Sequence, residues 1–167
     1  MCRAIRQASR DARSGASLLE LTVTVLILGI IAAIASPKYS ISLQRYRTDV
    51  AAQRIAQDLS RARQVARTIN TSCIVSFNRS LHQYTISGMT SLDNRGGTYR
   101  VEVNQSPYSS SLLSLTSSDQ PTIQLSTMSI AFDRFGIPNQ GASIIVGTGA
   151  IQKRVDVAPL TGKVSIQ

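Results

Sequence analysis

From Leu21 to Ala35 every residue is aliphatic, small or a threonine, and none is charged. A run of that length and purity predicts a helix able to enter a bilayer. The pattern changes after Pro37. Leu43, Tyr46, Val50, Ile55, Leu59, Ala62, Ala66 and Ile69 then recur at spacings of mostly three and four. That is one apolar stripe on a polar helix, and such a stripe needs a globular partner to cover it. No Gly or Pro interrupts residues 38–69. Pro37 lacks a backbone N–H and predicts a kink between the two halves.

Beyond residue 71 the period falls to two. Strands are predicted at Cys73–Phe77, Leu81–Ser87, Tyr99–Val103, Thr122–Leu125, Ser129–Phe132, Ser143–Val146, Arg154–Val157 and Lys163–Ile166. Turn signals separate them at Asn78-Arg79, Asp93–Gly97, Gly136–Asn139, Gly147–Gly149 and Pro159–Gly162. The Ser-rich stretch Ser106–Pro121 reads as a long surface loop. The expected fold is α+β: a long N-terminal helix, half transmembrane and half amphipathic, on an antiparallel sheet or small sandwich.

Charge sharpens the picture at two places. The net charge is +9, and Arg3, Arg6, Arg10 and Arg13 form a basic head before the apolar run. Arg47, Arg54 and Arg61 fall seven apart on the second helix half, flanked by Arg45, Arg63 and Arg67. Asp58 is spaced to pair with Arg54, and Asp49 with Arg45. This basic face reads as a solvated surface first, as a contact for acidic neighbours second, and as a phosphate contact third. No aromatics interleave with it for base stacking.

Catalytic chemistry is poorly supplied. His82 is the one histidine, and with Cys2 and Cys73 as the only cysteines it makes no metal set. Cys73 reads as a small apolar strand residue. Thr161-Gly162-Lys163 lacks the spacing of a phosphate loop. No enzyme and no cofactor are expected.

One residue fits neither a disposable signal nor a plain anchor. Glu20 sits at the mouth of the apolar run, where a charge costs roughly 2.5–3.5 kcal/mol at membrane depth. A secretory signal cut after Ala33-Ile34-Ala35 or a simple single-pass anchor leaves it without a role. Arg-rich head, Gly15, Glu20 and Pro37 together resemble the type IV pilin and type II secretion pseudopilin superfamily. In that family a short basic leader ends in Gly, and the mature chain carries Glu fifth and often Pro twenty-second. The resemblance implies cleavage between Gly15 and Ala16 by a prepilin peptidase, and N-methylation of Ala16, which stands where the family has Phe. Glu20 and Pro37 then serve assembly, Glu20 by pairing with a neighbour's α-amino group.

The stretches "FDRFGIPN" (Phe132–Asn139) and "VDVAPLTGKVSI" (Val155–Ile166) resemble the C-terminal half of the GspH/FimT family. The resemblance implies four segments: a leader, 1–15; a transmembrane helix half, 16–37; an amphipathic periplasmic half, 38–70; and a β-rich domain, 71–167. It implies a minor pseudopilin of the H class in a type II secretion system. The partners are then other pseudopilins or pilins, an inner-membrane assembly platform and the lipid bilayer, with the C-terminal domain in the bacterial periplasm. The alternative is a FimT-like type IV minor pilin that binds DNA for uptake, using Lys153, Arg154 and Lys163.

Overall fold

The structure, a computed structural model, describes residues 17–90 and 97–167, and the side chains of residues 34–37 and 90 lie outside that description. The expected turn over 93–96, the cleavage pair Gly15–Ala16 and the side chain of Pro37 therefore fall outside the described residues. The chain divides into two compact units, residues 1–40 and 41–167. One helix, α1 (Leu18–Ile69), runs through both.

In the first unit the helix is apolar and uncovered. Its side chains, where described, are all exposed, and it is long and apolar enough to cross a membrane by length and composition. Thr22 and Thr24 donate their hydroxyls to the carbonyls of Leu19 and Leu21, both at 2.8 Å. Each threonine thus satisfies its polar group within the helix, as an apolar medium requires.

In the second unit the helix ends on a defined cap. Asn70 adopts the left-handed conformation, φ 54°, and the Thr71 N–H donates to the Ala66 carbonyl at 3.2 Å. That is the Schellman arrangement, with Asn where Gly is commoner. The buried face runs through Thr48, Ala51, Ala52, Ile55, Asp58, Leu59, Ala62 and Ala66. Four expected stripe members are not on it: Leu43 and Val50 are half-buried, and Tyr46 is 65% and Ile69 50% exposed. Four alanines stand on the covered face, so the helix lies close to its partner while burying few large side chains.

Among the described residues eight strands follow, all antiparallel, in two sheets. They are β1 (Cys73–Asn78), β2 (Gln83–Thr90), β3 (Thr98–Glu102), β4 (Ser111–Ser117), β5 (Thr127–Phe132), β6 (Ala142–Thr148), β7 (Ile151–Val157) and β8 (Val164–Ile166). The first sheet has the order β3-β2-β1-β5 and the second β4-β6-β7-β8. Alternate residues of both sheets and the helix stripe form one apolar core around Phe77, Tyr84, Tyr99, Phe132 and Ile144.

Two strand expectations are corrected. The supposed loop Ser106–Pro121 contains β4, whose Leu112 and Leu115 are buried. A register irregularity between Leu112 and Ser114 turns Leu113 outward and breaks the two-residue period. Thr122–Leu125 is not a strand: Ile123 is exposed, and the Leu125 N–H donates to the Leu115 carbonyl at 2.9 Å. His82 precedes β2 in a turn, at φ 49°.

The loop between β5 and β6 and the turn before β8 meet beside the helix. Gly136 (φ 77°) and Gly162 (φ 62°) both need backbone conformations that a side chain resists. A Cβ on Gly162 would stand 2.7 Å from the Gly136 carbonyl oxygen, a backbone atom that cannot swing away. Gly162→Ala should therefore cost about 1–2 kcal/mol for the left-handed backbone alone, with the clash adding to it. Urea unfolding of the detergent-solubilised chain should show a lower midpoint at unchanged slope. An unchanged midpoint would mean that the two loops do not pack as described.

Candidate functional site

In the second unit a buried polar cluster joins the helix to the first sheet. Asp58 lies on the covered face of α1 and is 5% exposed. Its Oδ2 accepts from the Tyr84 hydroxyl at 2.5 Å and from Arg54 Nε at 3.0 Å, and its Oδ1 accepts from the Tyr99 hydroxyl at 2.8 Å. Arg54 also donates through Nη2 to the Tyr99 oxygen at 2.9 Å. Tyr84 comes from β2 and Tyr99 from β3, so one carboxylate ties the helix to two neighbouring strands.

The local reasons are simple. Arg54 and Asp58 are one turn apart, which puts the pair on one helix face. Tyr84 and Val101 are cross-strand partners, as are Ile86 and Tyr99. The two tyrosines thus sit diagonally on the same face of the ladder, within reach of one acceptor. A buried carboxylate is tolerated here because three donors and one positive charge satisfy it.

The electrostatics follow from that geometry. Burial pushes both phenols up, and the adjacent Asp58 carboxylate adds to the shift; Tyr99 rises from 10.0 to about 12, and Tyr84 rises too. Burial alone would weaken the Arg54 charge, but its bonds to Asp58 and Tyr99 outweigh this and hold it above its ordinary value. Cys73 is buried in β1 with its thiol pushed up by that burial. Its sulfur lies 3.0 Å from the Ser87 carbonyl oxygen. This is an inert thiol, as the reading of a small apolar strand residue expected.

A second junction carries the two C-terminal motifs. Asp133 accepts at Oδ1 from the backbone N–H groups of Phe135 and Ile137, at 2.9 and 2.8 Å, which closes the loop around Gly136. Arg63 then donates through Nε to the Gly136 carbonyl at 3.2 Å. The basic face of the helix is accordingly not one solvated stripe. Arg54 and Arg63 are engaged internally, while Arg45, Arg61 and Arg67 are exposed.

Glu20 is in the first turn of α1, exposed, with no ion pair among the described residues. There its charge also suits the positive end of the helix dipole. Asp49 does not pair with Arg45; its Oδ1 lies 3.1 Å from Lys153 Nζ. Arg154 and Lys163 are exposed. Along β7, Lys153 and the residue opposite Lys163, Ala158, are five positions apart, or about 17 Å. The three basic residues are therefore not gathered into one cluster. Among the described residues no group of His, Cys, Asp or Glu is placed to hold a metal.

The Arg54–Asp58 pair, one turn apart, was legible in the sequence and is present. The long spacing from Asp58 to Tyr84 and Tyr99 hid the rest of the cluster.

No protein-family model and no curated protein matches the chain. Among solved structures it is similar to the type IV minor pilin FimU of Pseudomonas aeruginosa (strain PAO1) in two crystal forms. One shares 10% identity at a TM-score of 0.51, covering 74% of this chain and 90% of that one. The other shares 9% at 0.48, covering 71% and 91%. The first likeness shows the fold: a long N-terminal helix with antiparallel sheets, pilin-like, as expected.

The tyrosines give a test of the cluster. A phenol raised in the folded state stabilises it fully below its unfolded value near 10.0, and that contribution is lost as pH rises through about 12. Absorbance of tyrosinate should show Tyr84 and Tyr99 ionising above 10.0 and together with unfolding. Asp58→Ala should destabilise by about 3–5 kcal/mol, because it strands a guanidinium and two phenols. Ionisation of Tyr84 and Tyr99 near 10.0, without unfolding, would contradict the geometry.

Proposed function

We propose that this chain is a membrane-anchored filament subunit, and within that class a minor pseudopilin of the H type in a type II secretion system. The observation that carries the reading is the pilin-like fold together with an uncovered apolar helix segment whose first turn holds Glu20.

In this reading a prepilin peptidase cuts between Gly15 and Ala16, and the new α-amino group is N-methylated. The helix half 16–37 anchors the chain in the inner membrane, with Pro37 as its weak point. The domain 71–167 stands in the periplasm. An inner-membrane assembly platform then lifts subunits into a stack. Within the stack Glu20 of one subunit meets the α-amino group of the next. Each charge offsets the other's desolvation, so only the correct register is tolerated. The filament helps move folded proteins outward.

A second reading has one observation in its favour: a solved structure similar in fold is a type IV minor pilin. The chain would then serve a pilus, in its DNA-binding form through Lys153, Arg154 and Lys163. Lys153 is engaged with Asp49, which weakens that form. A strain lacking the chain separates the readings: loss of secretion with intact pili supports the first, and loss of pili with intact secretion supports the second.

The mechanism has its own test. Protein extracted from membranes should begin Ala-Ser-Leu-Leu-Glu on N-terminal sequencing. Glu20→Val should still insert and still be cleaved, because valine suits lipid better than glutamate. It should not crosslink to other filament subunits, since the stranded α-amino group costs about 3–5 kcal/mol. Normal assembly of the variant would remove the register role from Glu20, and a mature chain starting at Ser36 would remove the leader.

A further inference from the structure

The four sheet edges are not treated alike. At β4, the Leu112 N–H donates to His82 Nδ1 and the Leu115 carbonyl accepts from Leu125. At β5, Ala131 exchanges bonds with Asn139, and the Ser129 carbonyl accepts from Gln140. The edge strand β3 directly follows residues 91–96, which are not described. The remaining edge, β8, has no cover of this kind among the described residues.

The register of β8 says which groups are free. Gln167 and Arg154 exchange both backbone bonds, at 2.8 and 2.9 Å, and the Ala158 N–H donates to the Lys163 carbonyl at 3.0 Å. Asp156 lies opposite Ser165 between these pairs. In an antiparallel ladder hydrogen-bonded and non-bonded positions alternate. Residues 163, 165 and 167 thus face β7, and the N–H and C=O groups of Val164 and Ile166 point away from it.

Those groups border a groove of about 580 Å³ between β8 and the helix, lined by Gln53, Gln57, Arg61 and Gln64 with Val164 and Ile166. Arg61, which lines it, and Lys163, the residue before Val164, are both exposed. The one carboxylate of this sheet, Asp156, lines a different hollow, with Thr116 and Ala142.

We propose that the β8 edge and this groove bind an extended, acidic segment of a partner protein as an added strand. The free backbone groups of Val164 and Ile166 supply the ladder. The glutamine amides hydrogen-bond side chains that point into the groove, and Arg61 and Lys163 select carboxylates. Charge argues against two other occupants. Pairing β8 with β8 of a second copy would set Arg61 and Lys163 against their own counterparts. The Arg-rich head of this chain has the same sign as the groove. The inference uses only the globular unit and stands whichever filament the chain serves.

Val164→Pro separates strand addition from simple charge attraction. Its lost N–H faces away from β7, so the β7–β8 ladder remains intact. The probe is a capped synthetic peptide alternating glutamate and valine, titrated into the full chain in detergent micelles. Wild type should bind it, with slowed hydrogen exchange at the Val164 and Ile166 amides. A lysine–valine peptide should not bind. Val164→Pro and, separately, Arg61→Glu should each weaken binding by about tenfold or more. Four results would overturn the proposal: no binding by wild type, equal binding by Val164→Pro, protection confined to other strands, or dimerisation through β8 without peptide.

Discussion

A single carboxylate fixes where the helix lies. Half of the covered face of α1 is alanine, with Ile55 and Leu59 as its large apolar members. Alanines permit close approach, but each removes little apolar area from water, at roughly 25 cal/mol per Å². Close approach without much burial leaves rotation and sliding weakly opposed. Asp58 opposes both. Its two oxygens take hydroxyls from two strands and a guanidinium from its own helix, and no shifted register satisfies all three. Breaking this arrangement exposes no new solvent to the orphaned groups, which is why a buried polar network specifies a position better than an apolar contact does.

The rest of the globular unit is arranged around that clasp. Tyr84 and Tyr99 hold the first sheet to the helix. Arg63 reaches the Gly136 carbonyl, and Gly136 in turn abuts Gly162, so the loops before β6 and β8 are seated on the same helix. Lys153 and Asp49 add a partly exposed contact from β7, worth much less because water screens it. Within the proposed filament, a helix locked to its own domain would carry the domain along when the anchor is pulled. Glu20 and Asp58 would then do related work at two levels, one setting register between subunits and one within a subunit.

The features legible in the sequence were those written in local periodicity. The uncharged run to Ala35, the three-and-four stripe and the turn residues around β1, β6 and β7 all led to the correct elements. The failures came where locality breaks. Tyr46 and Ile69 fit the spacing but lie off the covered face, because the stripe is set by alanines that hydrophobicity alone ranks low. The strand β4 was missed because its irregular register spoils the alternation of Ser and Leu. The pairing of Asp49 with Arg45 lost to Lys153, a residue far along the chain. The Asp58 cluster had the same character: its tyrosines are brought in only by the sheet. On the functional side, Gly15, Ala16 and Pro37 were read from motif resemblance and lie where side chains are not described.

The most direct measurement of the central claim is native-state hydrogen exchange on the helix amides from Ile55 to Ala66. It is compared between wild type and the double variant Tyr84→Phe, Tyr99→Phe. In wild type these amides should exchange only through the same global opening as the β1 and β6 amides. In the double variant, which keeps the rings and removes only the hydroxyls, the helix amides should exchange by a separate, cheaper opening while the sheets stay protected. If helix and sheet amides still open together at the wild-type free energy, the apolar stripe alone holds the helix and the Asp58 clasp does not.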